Sequence, residues 1–362
     1  MTPEEARSLF PVLERLAYLN AGTFGPLARP TAGAVQEQLD SDLTGGRFGK
    51  EYFERMLELR KRARAVLGGL VGAAPERVSL TGSTTDGCNI VLAGLDLRPD
   101  DEIVTTTEEH FGLLGPLHAS GARVLAVEPD PDAILGAVTS RTRLLALSQV
   151  IWTSGRALPV RELREQTGIP VLVDGAQSVG AVPVDARELD FLTISGQKWL
   201  CGPDSTGALV VADPESLRVA RPSYFSQTSY EPTGSFEPVE GAARFDPGWV
   251  SSAVLAGLLS AIEIRPQWAF ERAAEQAARC RDLLVPLVEL VPGDATLVAF
   301  RHDDPAALVE RLAEAGVVVR EIPKTGLVRV SCGWWTNEDD LSRLTAALSE
   351  TEGLRSGPLQ GS

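Results

Sequence analysis

The sequence predicts an α/β protein with a mostly parallel, doubly wound central sheet flanked by helices and a smaller α+β domain toward the C-terminus. Three observations carry that expectation. From Arg77 onward, short β-branched or apolar runs alternate with helical stretches; several of those runs end on polar residues; and 44% of the 362 residues are apolar, enough to bury a large core.

The runs are Val78-Ser79-Leu80, Glu102-Ile103-Val104-Thr105, Arg123-Val124-Leu125-Ala126, Leu144-Leu145-Ala146-Leu147, Pro170-Val171-Leu172-Val173 and Phe191-Leu192-Thr193-Ile194. Short buried strands joined through helices pair in parallel, because each helical crossover returns the chain to the same sheet edge. Ahead of them, Tyr18 to Leu27 is rich in turn formers yet apolar, and reads as an ordered loop into a helix over 30–43. Residues 51–69 set Leu and Ala at helical spacing among charges and predict a long surface helix. Pro, Gly, Ser and aromatics crowd residues 221–252, the expected passage between domains. A long helix over 253–289 follows, with an interruption at Pro266; then come a strand at 296–301, a helix at 305–315, strands at 317–322 and 327–332, and a helix at 337–350. The expected divisions are an N-terminal segment (1–20), a large domain (21–252), a small C-terminal domain (253–352) and a disordered tail (353–362).

Composition excludes several classes. Lys and Arg total 34 against 49 Asp and Glu, a formal charge of -15, and Arg60-Lys61-Arg62 is the longest basic run, so nucleic acid is not an expected partner. No apolar span reaches the ~20 residues a membrane helix needs, and the N-terminus is acidic; a soluble, cytoplasmic protein is expected. Cys88, Cys201, Cys280 and Cys332 form no C-x-x-C pair, and His110, His118 and His302 are not spaced as metal ligands, so no metal is expected. Neither G-x-G-x-x-G nor G-x-x-x-x-G-K-[ST] occurs, which disfavours a nucleotide site.

The chemistry concentrates where strands stop. Val171-Leu172-Val173 runs into Asp174-Gly175-Ala176-Gln177-Ser178, and Thr193-Ile194 runs into Ser195-Gly196-Gln197-Lys198-Trp199. Asp174 and Lys198 can therefore face one pocket at the carboxyl end of the sheet, where ligands of open α/β sheets bind. An amine and a carboxylate delivered together suit pyridoxal phosphate (PLP), which needs a lysine for its Schiff base, a carboxylate beside its ring nitrogen, and anchors for its phosphate. Desolvation would lower the Lys198 pKa and free the amine. Thr81-Gly82-Ser83-Thr84-Thr85-Asp86-Gly87, between a strand and a helical run, is a candidate anion site, although Ser and Thr there also serve as plain helix caps. Ser195 and Gln197 can add donors from the lysine loop. His110 follows another strand and can stack on a pyridine face and assist proton transfer.

Asn20-Ala21-Gly22, Ser83-Thr84-Thr85-Asp86-Gly87, Glu109-His110, Val173 to Ser178, Ser195-Gly196-Gln197-Lys198, Val328-Arg329-Val330-Ser331 and Thr336-Asn337-Glu338-Asp339 together resemble the class V aminotransferase family of fold-type I PLP-dependent enzymes. The resemblance spans nearly the whole chain in order. It implies that Lys198 carries PLP, Asp174 faces the ring nitrogen, Gln177 donates to the ring hydroxyl, and His110 stacks on the ring. Thr84, Thr85 and Ser195 then anchor the phosphate, with Gln197 beside them. Arg329 holds the substrate carboxylate as a bidentate pair, with Asn20 also at the substrate. A homodimer with active sites at the subunit interface is implied as well.

Within that family, cysteine desulfurases carry a nucleophilic cysteine on a loop shortly before the carboxylate-binding arginine. The corresponding segment here, Gly316 to Leu327, contains none. Cys332 lies an odd number of positions from Arg329 and on a strand would face the other way; it reads as a buried thiol, and Cys88 as a core residue, while spacing leaves Cys201 open. Thr85 to Asp96 and Trp152-Thr153-Ser154-Gly155-Arg156-Ala157-Leu158-Pro159 are similar to the cystine lyase branch, which implies C–S cleavage by β-elimination; Trp152, Trp334 and Trp335 can wall the substrate site, although lone aromatics are more often core or interface residues. Two departures from the family pattern are Gln197, where desulfurases usually have histidine, and Trp249, where a threonine often reaches the neighbouring subunit's phosphate. The alternatives are transamination, epimerisation like that of isopenicillin N epimerase, and a non-catalytic PLP-fold binding protein.

Overall fold

The computed structural model describes residues 1–353; apart from Gly353, the expected tail lies outside the described residues. Two compact units emerge, one of Pro30–Trp152 with Leu158–Ile264, the other of Met1–Arg29, Thr153–Ala157 and the chain from Arg265 onward.

The large unit is built on seven strands: β1 (Val78–Thr81), β2 (Glu102–Thr106), β3 (Arg123–Val127), β4 (Thr142–Ser148), β5 (Val171–Asp174), β6 (Phe191–Ser195) and β7 (Gly207–Val211). Their spatial order is β1-β7-β6-β5-β4-β2-β3. All neighbours are parallel except β7, which runs antiparallel to both β1 and β6. The six anticipated runs are all strands. β7 was not anticipated: it follows β6 through a loop over 196–206 without a helix, and so falls outside the alternating pattern that exposes the others. Its closeness to β6 shows at Gly196, where a Cβ would lie 2.1 Å from Thr206 Oγ1.

Helices cover the sheet: α1 (Arg29–Gly45), α2 (Gly49–Val71), α3 (Thr84–Gly94), α4 (Phe111–Ala119), α5 (Val160–Thr167) and α6 (Ser252–Glu263). Two apolar layers form the core. One places Leu67, Val104, Leu145, Val171, Ile194 and Leu258 together; the other gathers Val91, Leu113, Leu144, Leu172 and Leu209. Strands buried on both faces need such continuous apolar runs.

The predicted helix over 253–289 is two helices, α6 and α7 (Ala269–Leu284), separated at Pro266. A proline lacks the amide hydrogen of the helical ladder and restricts the residue before it. Within 221–252 a short antiparallel hairpin pairs Gln227–Tyr230 with Phe236–Pro238.

In the small unit, an antiparallel sheet has the order β8-β9-β11-β10, with β8 (Leu290–Val291), β9 (Leu297–Arg301), β10 (Arg320–Ile322) and β11 (Leu327–Ser331). It packs with α7, α8 (Pro305–Glu314) and α9 (Glu338–Gly353) around Leu308, Val328, Val330 and Leu344. The single strand expected at 317–322 is divided: Val317–Val318 pairs in parallel with Ala17–Tyr18 before β10 begins. Among the described residues, no helix is long and apolar enough to cross a membrane.

Candidate active site

Strands β1, β2, β4, β5 and β6 run in one direction, so the residues that follow their carboxyl ends gather along one sheet edge. Thr84, His110, Trp152, Asp174, Gln177, Ser195, Gln197 and Lys198 all follow or end these strands, and all belong to the large unit.

Asp174 closes β5 and is 3% exposed; its backbone pairs in register with Ser148 on one side and Thr193 on the other. Its Oδ1 accepts the Ala176 N–H at 2.9 Å. The carboxylate is thus fixed by its own turn while its strand ends beside β6, which leads to the half-buried Lys198. The Cys201 N–H donates to Lys198 O at 3.0 Å and closes the turn, with Cys201 in the left-handed conformation at φ 55.

Two neighbours set the orientation of polar groups around this pair. Trp199 Nε1–H donates to Gln177 Oε1 at 3.0 Å, which commits the amide oxygen as an acceptor. Ser195 Oγ–H donates to Gln197 Oε1 at 2.9 Å. Trp199 was quoted in the lysine motif without a role; its signal was an aromatic N–H next to the lysine.

At the start of α3, Ser83 Oγ accepts the Asp86 N–H at 3.1 Å and caps the helix. The cap reading therefore holds for Ser83, and the hydroxyls of Thr84 and Thr85 remain distinct from it. Asp86 also accepts the Gly82 N–H at 3.2 Å and lies 3.5 Å from Arg221. The positive end of an eleven-residue helix, with hydroxyls on its first turn, suits an anion such as a phosphate.

His110 caps α4, its Nδ1 accepting the Gly112 N–H at 3.0 Å. In the neutral ring the hydrogen then sits on Nε2, and the imidazole is a donor from that nitrogen. The Trp152 ring stands edge-on to it, with centroids 5.0 Å apart. Gly112 is required here because a Cβ would come within 2.7 Å of Thr85 Oγ1.

The small unit holds the other candidates. Arg329 lies mid-strand on β11, 2% exposed, and its Nη2 donates to Thr23 Oγ1 at 3.4 Å. Burial, then the like charge of Arg320, pushes its guanidinium down to about 9, so it is a cation at neutral pH. Asn20 bridges Ser331 in parallel, its Oδ1 accepts the Thr23 hydroxyl at 2.9 Å, and the Gly22 N–H donates to Ser331 Oγ at 3.1 Å. The Asn20-Ala21-Gly22 loop is in this way laid along β11 beside Arg329. Thr23 went unremarked because its neighbour in space lies 306 positions away.

All four cysteines are buried thiols. Burial first, then the charges of Asp174 and Glu109, pushes Cys88 well above the ordinary thiol range. Cys332 is pushed up by its hydrogen bond with Cys280 and by burial. Both shifts disfavour the thiolate form. Trp249 is 66% exposed, stacked 6.1 Å from Tyr224 and edge-on to Phe225 at 4.8 Å.

Comparisons with known proteins place the chain in a family. The isopenicillin N epimerase of Amycolatopsis lactamdurans is 30% identical over 92% of this chain and 94% of its own length. The cysteine desulfurase CsdA of Escherichia coli K12 is 26% identical over 96% of both chains. Among solved structures, the cystine C–S lyase C-DES in complex with its reaction product cysteine persulfide superposes with a TM-score of 0.88 at 26% identity, covering 94% of this chain and 99% of that one; another C-DES structure carries glycine covalently linked to the PLP cofactor. The aminotransferase class-V family model matches residues 31–344, and the chain belongs to that family.

Proposed function

We propose that this protein is a PLP-dependent enzyme that cleaves the Cβ–S bond of a cysteine-derived amino acid by β-elimination, as a cytoplasmic homodimer. The observation that carries the reading is the delivery of Asp174 and Lys198 from adjacent parallel strand ends, with the Gln177 amide oxygen already committed to Trp199. The residues present fit PLP: a buried carboxylate for the ring nitrogen, an amide donor for the ring hydroxyl, an imidazole to stack, and a helix N-terminus for the phosphate.

When bound, the cofactor supplies an electron sink for charge developing at substrate Cα. Lys198 would hold the cofactor through its amine, and the same amine is the group that would take the Cα proton. Asp174 holds a proton at the ring nitrogen, and Gln177 donates to the ring oxygen. Thr84, Thr85, Ser195 and Gln197 hold the phosphate, and His110 covers the ring and keeps water away. Arg329, seconded by Asn20, receives the substrate α-carboxylate, and Trp152 borders the side chain. The Cβ–S electron pair leaves with sulfur, which takes up a proton; the three-carbon fragment takes up water and departs as pyruvate and ammonia. No thiolate relay is needed, in keeping with four buried cysteines.

The test is turnover of cystine by the PLP-loaded protein. Pyruvate, ammonia and sulfane sulfur are expected in equal amounts, and Lys198→Ala is expected to abolish both turnover and the bound cofactor's visible absorbance. Full activity in that variant ends the reading. The relative at 30% identity supports a second reading, epimerisation: solvent deuterium would then enter Cα with inversion and without loss of sulfur. Stoichiometric conversion of the cofactor to its amine form would indicate transamination.

A further inference from the structure

Glu109 is a buried carboxyl group to which the proposed chemistry gives no part. It lies just past the end of β2, 4% exposed. Three donors converge on it: Thr106 Oγ1–H at 3.0 Å and the Ser148 N–H at 3.0 Å, both to Oε1, and the Ser148 hydroxyl to Oε2. Ser148 is the last residue of β4, and β4 lies between β2 and β5 in the sheet. Across β4, Ser148 is the register partner of Asp174, and the next residue, Gln149, donates its N–H to Asp174 O at 3.4 Å. Two carboxyl groups therefore stand one strand apart, with Ser148 joining them.

The groups facing Glu109 come from every neighbouring strand and from the helix above. Thr106 belongs to β2, Ser148 to β4 and Asp174 to β5; the Cys88 thiol of α3 feels the charges of both Asp174 and Glu109. The charge of Asp174 acts on Glu109.

We propose that Glu109 is a positioning residue for the PLP ring nitrogen, a second negative charge that acts through Asp174 to strengthen protonation of that nitrogen. The proposal rests on the reading of Asp174 as the ring-nitrogen partner. Burial raises Glu109 to about 7 against the opposing Ser148 hydrogen bonds, and the Asp174 charge adds to the rise. Glu109 thus gains its charge as pH climbs through neutrality and adds it to the negative charge beside the ring nitrogen. A proton between two anions is held more tightly than a proton beside one. The pair is a brake on ring deprotonation that engages as Glu109 ionises.

The sign also fixes a consequence that needs no cofactor. A carboxyl raised in the folded state contributes stability fully present below its unfolded value, near 4.5, and lost as pH rises through about 7. The ratio of folded to unfolded apoprotein should fall by about 10²-fold more for the native chain than for Glu109→Gln across that window.

The deciding experiment is a pH titration of the holoenzyme loaded with PLP labelled with nitrogen-15 in the ring, read by NMR. In Glu109→Gln, the protonated-nitrogen signal is expected to disappear ~1 pH unit lower than in the native enzyme, a tenfold loss of proton affinity. Ser148→Ala, which removes one donor and leaves the carboxyl group, delays the ionisation of Glu109 to higher pH, so its signal should disappear at a pH between those of the native enzyme and Glu109→Gln; it also keeps the test open if Glu109→Gln folds poorly. Superimposed titrations for native enzyme, Glu109→Gln and Ser148→Ala overturn the proposal alone. Absence of any bound-cofactor signal in the native protein overturns the PLP reading with it.

Discussion

Trp199 shows how a single side chain can decide what its neighbour presents. The indole of Trp199, 1% exposed, reads the orientation of Gln177 through one hydrogen bond of 3.0 Å. Trp199→Phe keeps the packing and deletes the N–H, so the amide can turn its oxygen toward the ring hydroxyl. One hydrogen bond is worth ~1 kcal/mol net, and PLP affinity is expected to fall ~5-fold, measured by fluorescence titration of the apoprotein. Arg329 tests a different interaction. A guanidinium buried on a strand presents a rigid fork that a lysine ammonium cannot reproduce. In Arg329→Lys, KM for cystine is expected to rise ~10²-fold, with kcat changed much less, because the carboxylate contact holds substrate and transition state alike.

The polar strand ends were legible in sequence because each lies within a few residues of the apolar run that delivers it, as with Asp174 after Val171 to Val173. The contacts that orient them were not, since Trp199 meets Gln177 across 22 positions and Glu109 meets Ser148 across 39. The same limit hid the support of residues 223–249. Asp246, fully buried, accepts the Leu80 N–H at 2.9 Å and the Ser79 hydroxyl at 3.0 Å, and pairs with Arg60 and Arg64 of α2. Arg60 in turn lies over the Phe225 ring at 4.1 Å. Read as sequence, Arg60-Lys61-Arg62 is a surface basic run; in the fold Arg60 is 1% exposed and ties α2, β1 and the aromatic segment together. Asp246→Asn leaves two buried or half-buried cations without their anion. Removal of one partner of a buried pair costs ~3–5 kcal/mol, to be read as a lowered urea midpoint, and the segment around Tyr224 to Trp249 should become the first site of limited proteolysis.

The proposed homodimer would account for exposed apolar surface to which the proposed chemistry gives no part. On the hairpin of α1 and α2, Leu43 is 82% exposed, Phe48 79% and Leu39 49%, a density of bare apolar side chains that a soluble monomer does not ordinarily carry. Close by, α1, α2 and α6 enclose a cleft of about 570 Å³ bordered by Gly33, Ala34, Leu59, Arg62 and Leu259. Self-complementary contact around a two-fold axis lets one such patch cover its own copy. A stable interface needs ~800 Å² from each partner, and this face is the one predicted to supply it in the proposed homodimer. Light scattering should therefore give twice the chain mass. Leu43→Asp combined with Phe48→Asp places two charges in the buried centre of that interface. Two lost anchors of ~2 kcal/mol each raise the dimer dissociation constant ~10³-fold, so the variant should run as a monomer at micromolar concentration with an unchanged circular dichroism spectrum. If it stays dimeric, the subunits meet elsewhere, and the exposed Tyr224–Trp249 stack becomes the surface to substitute next.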